Sequence, residues 1–131
     1  MSEGVHILVI DDEVQIRRFL RISLEASGYH VIEAVTGGEG ITRSAQHRPD
    51  IIILDLGLPD MDGLEATSRI RAQDEFTHIP IIALTALAMP GDRERCIQAG
   101  ANEYLSKPVS MKQLVNVIQS HLQETAPVPV H

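Results

Sequence analysis

Three acids stand together at Asp11, Asp12 and Glu13, directly after the apolar run Val5 to Ile10. A fourth acid, Asp55, closes the apolar run Ile51 to Leu54. Adjacent carboxylates repel one another unless a cation, a helix N-terminus or solvent relieves them. If the two runs are neighbouring strands of a parallel sheet, Asp11, Asp12 and Asp55 meet, and an all-oxygen cluster of that kind suits a hard divalent cation. Mg2+ is favoured, because few protein ligands leave room for waters and phosphate oxygens. Two further runs end in complementary groups: Thr85 brings a hydroxyl after Ile81 to Leu84, and Lys107 brings a point positive charge after Asn102 to Ser106. A carboxylate nucleophile, a metal, a lysine and a hydroxyl are the parts of phosphoryl transfer, in which catalysis is mostly positioning and neutralisation of charge on the transferred oxygens. Singly, each has a plainer role, the acids and Thr85 as helix caps and Lys107 as a solvated charge. Their joint occurrence at strand ends favours the chemical reading.

The elements that must position these groups follow from periodicity. Five short apolar runs, the fifth being His30 to Ala34, end in polar or turn residues, and each is followed by a helical pattern. Runs nearly continuous in Ile, Val and Leu suit strands covered on both faces. The first helix carries Ile16, Phe19, Leu20 and Leu24 at inward spacing, shows Arg17, Arg18 and Arg21 to solvent and stops at Gly28. Thr36 with Glu39 predicts a capping box for the second, and Ser110 with Gln113 for the fifth. Leu64 and Ile70 point the third inward, and the fourth begins near Pro90 and ends at Gly100. In the fifth, Met111, Leu114, Val115, Ile118 and Leu122 recur at helical spacing. Such alternation predicts an α/β fold, a single doubly wound (βα)5 domain with a parallel sheet and helices on both faces. Open sheets of this kind hold their sites at the carboxyl ends of strands, where the acids, Thr85 and Lys107 lie.

Composition narrows the function classes. The chain has 131 residues, with 11 basic against 18 acidic side chains, a formal charge of −7. It has no general electrostatic attraction for nucleic acid or an anionic membrane, which argues against direct DNA binding. With two Phe, two Tyr and no Trp, the core must be built from Ile, Leu, Val and Ala. Cys96 is the only cysteine, which excludes an internal disulfide, fits a reducing cytoplasm and reads as a small core residue. No run approaches the ~20 apolar residues of a membrane span. The six His residues lack metal spacing and read as surface groups. Domain bounds of 1–123 are expected, with 124–131, bearing Pro127 and Pro129, as a disordered tail or the start of a linker. Met1, four residues before the first strand, favours a natural start, while the tail allows a following domain.

The segments LVIDDE (Leu8 to Glu13), IIILDLGLPDMDG (Ile51 to Gly63), IIALTA (Ile81 to Ala86) and GANEYLSKP (Gly100 to Pro108) resemble the receiver domains of two-component response regulators. The resemblance runs from about Val5 to Leu122. It implies a flavodoxin-like strand order of 2-1-3-4-5 and Asp55 as acceptor of a phosphoryl group from a histidine kinase or a histidine phosphotransfer protein. It also implies Mg2+ held by Asp12, Asp55 and the backbone carbonyl of Gly57, with Asp11 acting largely through water. Lys107 would pair with the acyl phosphate, and the Lys107-Pro108 bond would be cis. Thr85 would move toward the phosphate and let Tyr104 turn inward, altering a partner surface made by the fourth helix, fifth strand and fifth helix. The protein would catalyse its own phosphorylation and dephosphorylation without being a conventional enzyme, as a monomer or a phosphorylation-dependent dimer. Gly57 and Leu87 would govern access of water to the phosphate, and the apolar Leu87 predicts slow to moderate loss of it.

Three other classes compete. An aspartyl-nucleophile hydrolase of the haloacid dehalogenase type needs an acid two residues after its nucleophile, where Gly57 stands, and the chain is short for it. A nucleotide binder needs a Gly-rich phosphate loop after the first strand, where acids stand instead. A pseudo-receiver interaction module is disfavoured because every site residue is present.

Overall fold

The computed structural model describes residues 4–73, 78–86 and 89–125. Five strands alternate with five helices: β1 (His6–Ile10), α1 (Val14–Ala26), β2 (His30–Ala34), α2 (Gly37–His47), β3 (Ile51–Asp55), α3 (Gly63–Arg71), β4 (Ile81–Thr85), α4 (Asp92–Ala99), β5 (Glu103–Ser106) and α5 (Met111–Thr125). All pairings are parallel, in the order β2-β1-β3-β4-β5. The chain reverses direction across the sheet between β1 and β3, and that crevice opens at their carboxyl ends.

The central strands β3 and β4 are buried at every residue, as their unbroken aliphatic runs require. Alternate side chains feed two cores. On one face Leu8, Ile10, Ile52, Leu54, Ile81 and Ala83 meet Ala66, Ile70 and Cys96 of α3 and α4. On the other, Ile7, Val9, Ile51, Ile53, Ile82 and Leu84 meet Leu20 and Leu24 of α1 and Leu114 and Ile118 of α5. Each such Ile or Leu contributes roughly 1.5–3 kcal/mol on burial. Cys96 lies in the first core, as its apolar setting predicted.

The predicted punctuation appears with one variation. Thr36 Oγ1 accepts from the Glu39 amide at 3.0 Å, but the Glu39 carboxylate reaches back to the Val35 amide rather than to that of Thr36. Ser110 caps α5 through the Gln113 amide at 3.4 Å. Helix α4 starts after Gly91 and ends at Gly100, whose φ of 119° is open to glycine and costly to any other residue.

Three expectations are corrected. Phe19 is 47% exposed, whereas Arg17 lies against the edge of β2, its side chain only 13% exposed. At 100° per residue Arg17 falls about 60° from Leu20 and Phe19 about 100°, so the arginine is nearer the buried stripe. His121 is not a surface group but buried, its Nε2 2.9 Å from Glu103 Oε2 on β5. Its place seven residues after Leu114, on the same helical face, is the signal that carried this. Helix α5 runs to Thr125, two residues into the segment expected as tail; 126–131 and Leu87 lie outside the described residues.

Candidate functional site

Because β1 and β3 are adjacent and in register, Ile10 pairing with Leu54, their terminal acids converge. Ligand oxygens of Asp11, Asp12 and Asp55 all lie within 4.8 Å of one another. Asp11 and Asp55 are buried and Asp12 is exposed, so the cluster opens to solvent on the Asp12 side. Lys107, directly after β5, places Nζ 2.9 Å from Asp11 Oδ2, 2.9 Å from Asp55 Oδ1 and 3.2 Å from Glu13 Oε1. Burial opposes the Lys107 charge, but the hydrogen bonds to Asp11 and Asp55 outweigh it and hold the ammonium well above the usual lysine range. The Asp11 pKa is also raised: burial disfavours its carboxylate, and the Glu13 amide and Lys107 offset this only in part.

Thr85 is buried at the end of β4, and its carbonyl accepts from the Lys107 amide at 2.7 Å. The Lys107-Pro108 peptide is cis, as expected. A cavity of about 330 Å³ lies over the cluster, lined by Asp12, Asp55, Gly57, Thr85 and Lys107 among others. A second, of about 220 Å³, shares Gly57 and Thr85 with it and runs between α3 and α4 to Asp92 and Cys96. Tyr104 packs, half-buried, against the core on this side, and burial, then the nearby Asp92 carboxylate, raise its phenol.

The sequence-predicted residues Asp11, Asp12, Asp55, Thr85, Lys107 and Gly57 thus gather at one sheet edge, while Tyr104 stands apart on β5. The donor set fits Mg2+: every candidate ligand is a hard oxygen, few are protein-borne, and the cavity leaves space for waters and phosphate oxygens. Lys107 occupies the cation's electrostatic role for the two buried acids without taking Asp12.

Known proteins share both fold and pattern. The response regulator receiver domain family matches residues 7–119. The polar-differentiation response regulator DivK of Brucella ovis is 41% identical over 122 residues, covering 93% of this chain and 98% of that protein. Two solved structures superpose closely. The receiver domain of the sensor histidine kinase PA1611 from Pseudomonas aeruginosa PAO1, with magnesium coordinated in its active-site cleft, has a TM-score of 0.85 at 38% identity, covering 92% of this chain and 98% of that one. The chemotaxis response regulator CheY4 of Vibrio cholerae has a TM-score of 0.85 at 30% identity, covering 90% and 98%. The chain belongs to the response regulator receiver domains of two-component signalling, whose partners are histidine kinases. Among the described residues no helix is long and apolar enough to cross a membrane.

Proposed function

We propose that this chain is a phosphoacceptor switch in the cytoplasm that takes a phosphoryl group from a phosphohistidine onto Asp55 in the presence of Mg2+. The observation that carries this is the placement of Lys107 Nζ between Asp11 and Asp55, 2.9 Å from each, at the mouth of a cavity also lined by Thr85. An Asp55 oxygen attacks phosphorus, a new P–O bond forms, and the P–N bond to the donor imidazole breaks. Its electron pair returns to the ring nitrogen, and the imidazole, which carries its proton on the other ring nitrogen, leaves neutral. Asp12, Asp55 and the Gly57 carbonyl would hold Mg2+, with Asp11 reaching it through water, and the metal would neutralise charge on the transferred oxygens. Lys107 keeps its charge throughout and pairs with the acyl phosphate, leaving Asp11.

The acyl phosphate adds about two negative charges and new acceptors at the end of β3. Thr85 turns its hydroxyl toward them, and Tyr104 follows into the space beside α4, biasing a two-state equilibrium of the α4-β5-α5 surface. A downstream protein reads that surface; the donor is a histidine kinase or a histidine phosphotransfer protein. Acid-labile label from acetyl phosphate and Mg2+ tests the reading. The parent incorporates label and Asp55→Asn does not; equal incorporation by both would overturn Asp55 as acceptor.

A further inference from the structure

The loop that carries the acids is itself held from the side, by a charged pair outside the phosphoryl site. Arg17 Nη1 donates to the Asp11 carbonyl at 2.8 Å. The same guanidinium gives Nε to Glu33 Oε1 on β2 at 3.0 Å, and the other Glu33 oxygen takes Arg21 Nε at 2.9 Å. The Asp11 amide meanwhile donates to Ala34 O, one residue beyond Glu33, at 3.1 Å. Both backbone groups of Asp11 are therefore tied to the carboxyl end of β2, one directly and one through Arg17. The contact is well enclosed on the arginine side, at 13% exposure, whereas Arg21 is 50% exposed.

Building on the Mg2+ site proposed above, we infer that Arg17, anchored by Glu33, is a positioning residue that presets the Asp11–Asp12 loop for the metal. Two effects of Arg17 oppose each other. Its positive charge beside the acids weakens cation binding, and its grip on the Asp11 carbonyl strengthens it by removing loop freedom before the metal arrives. Glu33 decides between them, because its negative charge offsets that of Arg17 and leaves the grip as the larger effect. A planar guanidinium reaches the carbonyl and the carboxylate at once; a lysine ammonium in its place has neither the fork nor the reach. Groups that orient a metal's direct ligands typically change affinity by 10–100-fold when removed.

Calorimetric titration with MgCl2 alone tests this, with the metal-free melting temperature of each protein recorded alongside. Arg17→Ala is expected to raise the Mg2+ dissociation constant about tenfold, and Arg17→Lys to fall between it and the parent. That ratio persists or grows at about 1 M salt, where the Debye length is about 3 Å and the opposing field of the Arg17 charge is screened. Glu33→Ala weakens binding as well, and the Arg17→Ala/Glu33→Ala double variant is no weaker than Arg17→Ala alone, since the pair acts as one device. Parent-like affinity in Arg17→Ala, a ratio that collapses to one in high salt, or additive losses in the double variant would each overturn the inference. Should Arg17→Ala not fold, Arg17→Lys and Glu33→Ala carry the same comparison. A parent that binds no Mg2+ sinks the proposed function itself, a result distinct from any of these.

Discussion

Lys107 and Asp55 form an ion pair at 2.9 Å although their strands are not neighbours: β4 lies between β3 and β5. The side chain reaches over the end of β4, where its own amide is fastened to the Thr85 carbonyl, and it meets Asp11 at the same distance. One cation thus ties three strand ends across a gap that would otherwise hold buried carboxylates within 4.8 Å of each other.

Removing that cation exposes the repulsion. Lys107→Met is expected to lose about 3 kcal/mol in metal-free denaturant unfolding, the scale for breaking a buried pair, and to regain part of it on adding Mg2+. The folded pKa of Lys107 is raised, so its stabilisation is complete below the ordinary value of 10.5 and is lost only as pH rises through the higher folded value. The parent–variant difference is therefore flat through neutral pH; a difference that shrinks between mildly acidic and neutral pH contradicts the pairing.

Gly63, at the start of α3, packs against the loop that leaves Asp55. A Cβ there would stand 2.6 Å from Leu56 Cα and 3.0 Å from the Asp55 carbonyl, both backbone atoms that cannot rotate away. At Gly38 the nearest atom to a Cβ is an Asp60 carboxylate oxygen at 3.4 Å. Gly63→Ala should cost roughly 1–3 kcal/mol, the range for overpacking, and Gly38→Ala much less. Equal melting temperatures for the two variants would refute the close approach.

Asp60 joins the same loop to α2, accepting from the Gly37 amide at 2.8 Å and the Gly38 amide at 2.9 Å. These bonds to Gly38 and Gly37 hold its carboxyl below the ordinary value of 3.8. A depressed folded pKa gives stability that is present above the unfolded value and lost as pH falls through the folded one. Asp60→Asn should therefore lower the melting temperature near neutral pH and flatten its decline below about pH 4, the unfolded carboxylate range. A parent and variant that differ equally at every pH would remove Asp60 from the acid response.

Tyr104 is proposed to act after the chemistry. Tyr104→Ala should incorporate label like the parent, yet lose the phosphorylation-dependent change in amide hydrogen exchange over α4 and β5. A variant whose exchange responds as fully as the parent's would sink the aromatic step while leaving Asp55 untouched.

Legibility in the sequence tracked how local the cause was. The runs ending at Ile10, Leu54 and Leu84 declare themselves as strands because covering both faces demands nearly unbroken aliphatic stretches; the run ending at Ser106 carries no such stretch and is only partly buried as β5. Thr36, Ser110 and Gly100 marked helix ends because caps are set by neighbours a few residues away. Arg17 and Phe19 exchange the sides their hydrophobicity suggests, because the partners of Arg17, Glu33 on β2 and the Asp11 carbonyl after β1, come from other elements. The burial of His121 has a like cause: its partner Glu103 stands on another element, β5.

By itself, then, the sequence determined the alternation of strands and helices, the sheet-edge address of each polar group and, through its motifs, the family. Only the tertiary structure decided which of those groups touch. Lys107 could have been a solvated charge until β5 was set two strands from β3, and Arg17 a surface cation until α1 was packed beside β2. Contacts between residues distant along the chain depend on strand order and helix docking, which are settled by burying both faces of the sheet at once and not by any local run of residues.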